Sequence, residues 1–213
     1  MHFGGNMFED NRYPDRITAE QILKAAYDVN PGTWVDHCHN VARAAAIIAE
    51  HSNMNEEKAY SIGLLHDIGR GEYKGWNMMH HVIAGYERMK RDYPDVARVC
   101  LTHSFVTKDI REYGDGNNLL CTEEEQLFIQ KYLNGIEYND YDLLIQLCDS
   151  ICLPEAITVI EKRIVDVTIR YGQNGLDVER WKGLFNIKQH FDDLCGCNIY
   201  QFFRDEIETS IFG

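Results

Sequence analysis

The stretch SIGLLHDIGR, Ser61 to Arg70, runs an apolar helical segment straight into an adjacent His66-Asp67 pair that is followed at once by Ile68-Gly69. A neutral imidazole beside a carboxylate offers two ligands for a divalent metal. Adjacent helical residues point about 100° apart, so such a pair faces one ion only from a helix end, and Gly69 permits the turn that this requires. One short segment cannot enclose an ion. Further donors stand at workable spacings: His37 or its neighbour His39 upstream, then His81 or His80, His103 and Asp149 downstream.

Working outward, the pattern predicts an all-α, multi-helical protein. A helix opens at Thr18, with Gln21 completing its cap, and stops at Asn30-Pro31-Gly32. Val41, Ala44, Ala45, Ile48 and Ala49 give residues 33–51 helical spacing. Asn55-Glu56-Glu57 starts a third helix, for which Gly69 is the expected C-cap. Others are expected over 77–91, 95–103, 122–133, 140–153, 154–171 (with Pro154 in the first turn) and 178–195. The segment 106–121, with Gly114 and Gly116, is too long for a simple connector and reads as either a binding element or a surface excursion.

A chain of 213 residues, 45% of them hydrophobic, buries a sizeable core, and its expected division is an N-terminal extension (1–17), a helical core (18–171) and a C-terminal helical segment packing on that core (172–213). The net charge of -13 argues against a nucleic-acid polymer as partner, because that affinity rests on Lys and Arg. A small anion is still admissible, since bound metal sets the local potential. Seven cysteines scattered through apolar segments read as reduced thiols, and no apolar run approaches the roughly 20 residues that span a bilayer. The expectation is a cytoplasmic protein without membrane contact, and the aromatic region from Phe185 to Phe203 serves the core or a homodimer interface.

The His, the literal HDIG tetrad at 66–69, two later histidines and a distant Asp together resemble the HD superfamily of metal-dependent phosphohydrolases. The resemblance covers about residues 33–153 and implies a helical HD-domain bundle. It also selects among neighbours: Val41 and Ala42 follow His37 at the family's offsets, and Gly85 follows His81. His39 and His80 then fall outside the ligand set. The branch with both additional histidines holds two divalent ions, often iron, although Mn, Co, Ni or Zn suit the same donors. Carried over, His37, His66, Asp67 and Asp149 bind one ion, and Asp67, His81 and His103 the other. The nearest parallels are bacterial proteins that split diadenosine tetraphosphate. Here the segment between His103 and Asp149 is longer than theirs, and SICLPEA follows without the expected charged residues.

The chemistry implied is hydrolysis of a phosphate ester or anhydride in a small phosphorylated, nucleotide-like substrate. Two divalent ions among four imidazoles and two carboxylates leave a local charge of about +2 and bring a shared water's pKa to about 7. Arg70, Lys74, Lys108 and Ser104 are candidate phosphate contacts. The competing readings are a mononuclear nucleotidase, in which His81 and His103 touch phosphate, and a non-catalytic nucleotide or metal sensor.

Overall fold

The computed structural model describes residues 12–72, 80–113, 122–173 and 175–213; among these are ten α-helices and no β-strand, with one isolated bridge between Cys152 and Ile157. The helices are α1 (Arg16–Val29), α2 (Trp34–His51), α3 (Glu56–Leu64), α4 (His80–Met89), α5 (Pro94–Thr102), α6 (Glu123–Asn134), α7 (Asp140–Asp149), α8 (Ile160–Tyr171), α9 (Asp177–Cys195) and α10 (Arg204–Phe212). The all-α expectation therefore holds. No helix among the described residues is long and apolar enough to cross a membrane.

α2 is the central element, packing on α3, α7 and α9. Its buried face is largely alanine (Ala42, Ala44, Ala45 and Ala49), so neighbouring backbones approach closely. A Cβ on Gly63 of α3 would stand 3.1 Å from the Ala42 Cα. The main core runs from Ala19 in α1 to Ile207 in α10 and takes in Leu184, Ile187 and Phe191 of α9. Fully burying a side chain such as Phe191 contributes about 1.5–3 kcal/mol. A smaller cluster, Val82, Leu101, Phe105, Ile110, Ile129 and Leu133, joins α4, α5 and α6.

Several boundaries differ from the sequence-based expectation. The cap of α1 is Asp15, whose carboxylate accepts from the Thr18 N–H, rather than Thr18 itself. α3 ends at the Leu65 cap, and Gly69 lies in a 3-10 turn, Ile68–Glu72, instead of closing the helix. The glycine is required there by packing: a Cβ would lie 1.9 Å from the His81 carbonyl oxygen and 2.5 Å from the Gly85 nitrogen. α7 stops at Asp149, not Leu153, and α8 starts at Ile160, not Pro154. The intervening chain folds back on itself, with Leu153 N–H donating to Ala156 O and Thr158 N–H to Ile151 O. Asn40 of α2 pins this turn by donating to the carbonyls of Leu153 (2.8 Å) and Pro154 (3.0 Å). Those bonds take up groups that a continuous helix would have used internally. Residues 114–121 of the long loop lie outside the described residues; its nearer part carries a 3-10 turn, Ile110–Tyr113.

Candidate metal centre

Five element ends deliver the six predicted side chains to one buried place. His37 comes from the first turn of α2, Asp149 from the last residue of α7, His66 and Asp67 from the turn after α3, His81 from the start of α4, and His103 from the residue after α5. Close packing of Gly69 and Gly85 sets the distance between the His66-Asp67 turn and α4. His66 is fully buried, and Asp67, His81 and His103 are nearly so.

The geometry forms two adjoining groups: His37, His66 and Asp149, and Asp67, His81 and His103. In the first, His37 Nε2 lies 2.9 Å and His66 Nε2 3.9 Å from Asp149 Oδ1. In the second, Asp67 Oδ1 lies 3.1 Å from His81 Nε2 and 3.5 Å from His103 Nε2. Asp67 Oδ2 is 3.8 Å from His66 Nε2, which ties the groups together. Cys38 Sγ, which sequence reasoning missed, sits close to the donor atoms of His66 and Asp67. Burial, reinforced by the Asp67 charge, pushes this thiol's pKa well up and keeps it protonated.

The backbone fixes which imidazole nitrogen faces inward. Nδ1 of His66 is 2.7 Å from the Gly63 carbonyl, Nδ1 of His103 is 3.0 Å from the Val99 carbonyl, and Nδ1 of His37 is 3.2 Å from the Cys152 carbonyl. A carbonyl only accepts, so each Nδ1 carries the proton and each Nε2 of a neutral ring presents its lone pair to the centre. His66 Nε2 and Asp67 Oδ1 are buried with no hydrogen-bond partner. Electron pairs of imidazoles and carboxylates aimed at one another in a dry interior need a positive charge between them. The N/O donor set fits divalent metal ions.

The electrostatics favour the ligating forms. Burial lowers the pKa of His66 to about 4, and burial together with Arg70 lowers that of His81 to about 3. Both rings are neutral at pH 7. Burial works to raise the Asp67 pKa, but Arg70, His81 and His66 outweigh it and hold the carboxyl well below its usual range. Asp149 is likewise held low against burial, chiefly by the His37 ring, whose Nε2 lies 2.9 Å from its Oδ1. His103 moves the other way: burial lowers it, yet the contact with Asp67 leaves it raised.

Other predicted residues are distributed unequally. His39 is exposed and 3.7 Å from Glu20, and His80 lies 3.8 Å from Glu125; both stand outside the cluster. Arg70 Nε meets Asp67 Oδ2 at 2.5 Å and lines the cavity above the cluster, as does Ser104, whose buried hydroxyl has no partner. Lys74 lies outside the described residues. Lys108 is not among the residues lining the cavity: its amine donates to the Ile136 carbonyl at 2.8 Å and pairs with Glu137 at 3.0 Å.

The cavity, about 340 Å³, is also lined by Arg163 and Arg170 of α8, by Arg180 of α9 and by Trp34. Sequence reasoning missed all four. Arg163 and Arg170 sit seven residues apart with Asp166 between them, a one-face helical stripe that was legible in the sequence.

A helical scaffold that converges histidines and aspartates on a buried centre beneath an arginine-lined cavity has the donor set of a site that could hold metal ions. The HD domain family model matches residues 34–152, more than half of the chain, and the chain belongs to that family of metal-dependent phosphohydrolases. No curated protein and no solved structure matches it.

Proposed function

We propose that the protein hydrolyses a phosphate ester or phosphoanhydride of a small nucleotide-like substrate in the cytoplasm, using two divalent metal ions, with iron the preferred metal. His37, His66, Asp67 and Asp149 would hold one ion and Asp67, His81 and His103 the other, Asp67 serving both. The observation that carries this reading is the position of Asp67, whose two oxygens stand within 4 Å of three imidazoles from three different elements. Two-metal occupancy is favoured over one by the two adjoining donor groups, which Asp67 links through its approach to His66.

When bound, the ions supply Lewis acidity toward phosphoryl oxygens and a water acidic enough to ionise near pH 7. The chain's own residues do the rest. The Gly63, Val99 and Cys152 carbonyls hold three rings in the tautomer that keeps Nε2 free of protons. Arg70, anchored on Asp67 at the cavity floor, orients a phosphoryl group through guanidinium donors. The Ser104 hydroxyl donates to the same group. The apolar surface of Leu153 and Pro154 in the cavity lining restricts water.

The test is metal analysis of anaerobically purified protein, followed by phosphate-release assays with mononucleotides, dinucleoside polyphosphates and phosphorylated sugars. Two equivalents of metal per chain and metal-dependent release from at least one substrate are expected. Retained turnover in metal-stripped protein would overturn the reading.

A further inference from the structure

α8 lies outside the matched HD segment, and its pocket-lining residues are unusual for a helix on the surface of a small domain. Arg163, Asp166, Val167 and Arg170, spaced i, i+3, i+4 and i+7, line the cavity while Val165 and Ile169 of the same helix are left exposed to solvent. A surface helix ordinarily turns such charges outward and such apolar groups inward. Asp166 holds the two arginines as a unit, accepting from Arg163 at 2.9 Å and from Arg170 at 2.5 Å. Arg180 of α9 joins them at the cavity wall, 3.6 Å from the buried carboxylate of Glu112. Glu112 is itself fixed by the Val106 and Thr107 N–H groups, close to His103-Ser104 in the chain. Arg163 and Arg180 also border a smaller adjoining cavity that reaches Asp149, together with Asp177.

The charge balance points the same way. With Asp67 and Asp149 assigned to metal, four guanidiniums (Arg70, Arg163, Arg170 and Arg180) stand along the main cavity against three carboxylates, Glu155 and Asp166 in its lining and Glu112 behind Arg180. This is a cationic lining in a chain of net charge -13. A single phosphoryl group at the metals has no use for cations spread over two turns of another helix, a span of roughly 10 Å. A row of guanidiniums matches a row of phosphate oxygens.

The geometry points to a second anion subsite, formed by Arg163, Arg170 and Arg180, that accepts the remainder of a phosphoanhydride chain whose scissile group lies at the metal centre. Resting on the hydrolase reading, this narrows the substrate class to compounds with two or more linked phosphoryl groups. Arg163 and Arg170 determine specificity. Asp166 is a positioning residue that keeps both guanidiniums turned along the cavity.

The test is calorimetric titration of the metal-loaded full chain with orthophosphate and with methylenebisphosphonate, which cannot be hydrolysed, with metal content measured afterwards so that chelation is distinguished from binding. The bisphosphonate is expected to bind at least about tenfold more tightly than orthophosphate, and the double variant Arg163→Gln/Arg170→Gln to erase about tenfold of that preference. Arg163→Lys, which keeps the charge but not the fork, should restore part of it. Arg170→Gln alone, at a more exposed position, provides a folded variant if the double one does not fold, and should lower the preference by several-fold. Equal affinity for the two probes, or a preference unchanged in the variants, overturns the subsite. Loss of the preference in the variants of a protein that hydrolyses no phosphate compound leaves the subsite standing and overturns the hydrolase reading instead.

Discussion

Replacing Gly69 by alanine tests whether the packing of the His66-Asp67 turn against α4 sets the metal centre. The new Cβ would lie 1.9 Å from the His81 carbonyl oxygen, 2.5 Å from the Gly85 nitrogen and 2.8 Å from the His81 carbonyl carbon. All three obstacles are backbone, so no rotamer change relieves them. The shortest contact falls about 1.5 Å short of ordinary van der Waals separation. Overpacking of this kind costs about 1–3 kcal/mol, and a backbone obstacle puts it at about 3. For a chain of this size each kcal/mol lowers Tm by about 2–4 °C, giving about 6–12 °C. The separation falls between Asp67 and His81, which are 3.1 Å apart and belong to the same donor group. A displacement of about 1 Å at a reacting centre lowers turnover about 100-fold, and that loss is expected at saturating metal. Gly175→Ala is the control, since nothing lies within 4 Å of its added Cβ. Thermal melts and phosphate-release rates of both variants decide the matter. A Gly69→Ala protein that melts within about 2 °C of the parent and keeps most of its turnover would refute the argument.

Three further outcomes are expected. Asp67→Ala removes the carboxylate that approaches His66, His81 and His103, so metal retention measured by elemental analysis and turnover should both vanish; a fully active variant would contradict the site. Arg98→Ala strands the fully buried Asp142, which accepts from Arg98 at 2.7–3.0 Å and from Thr102 at 2.7 Å. Urea unfolding should register a loss of about 3–5 kcal/mol, and a loss below about 1 would show the pair to be dispensable. The metal-free protein should lose stability as pH falls from about 6.5 toward 4. His66 and His81 take up protons in the unfolded chain at their ordinary pKa but only near 4 and 3 when folded, so the unfolded state binds more protons over that window and acid favours it. The raised pKa of His103 adds stability only as pH falls from its folded value to about 6.5, so its contribution is constant across this window and does not offset the loss. Flat stability from pH 6.5 to 4 in denaturant titrations would refute the assignment of buried, neutral rings.

What was legible in the sequence is the part written in local signals. Asn55 caps α3 and Thr122 caps α6 through a capping box with Glu125, both marked by residue type and spacing. His37 rather than His39 lies at the cluster, and His81 rather than His80; spacing left each pair open, and the resemblance to the HD superfamily selected between them. A break between α7 and α8 was legible at Pro154, but its extent was not, because it depends on the Asn40 side chain reaching across more than a hundred residues to two carbonyls. The role of Gly69 was misread for a similar reason. A glycine after an apolar run signals a C-cap, whereas this one is dictated by the backbone of α4 lying against it. Arg163 and Arg170 escaped notice because a charge stripe on a helix ordinarily faces solvent, and only the packing of α8 turns this one toward the cavity.

The same three-dimensional dependence explains how the metal centre is joined to the rest of the bundle. α2 contributes His37 to the cluster, Ala42 to the close approach of α3, Asn40 to the turn at Leu153-Pro154, and Arg43 to a bidentate pair with Glu206 of α10. The turn that Asn40 pins begins just beyond Asp149 and supplies the Cys152 carbonyl that fixes the tautomer of His37. One helix therefore sets both the position of a donor and the proton on its far nitrogen. A change at Asn40 alters the centre without touching a donor residue, through the loosened carbonyl and the freed imidazole. The donor side chains of the cluster are thus held by backbone groups of the turn and helix ends, so their alignment is a property of the packed bundle as much as of the His66-Asp67 motif.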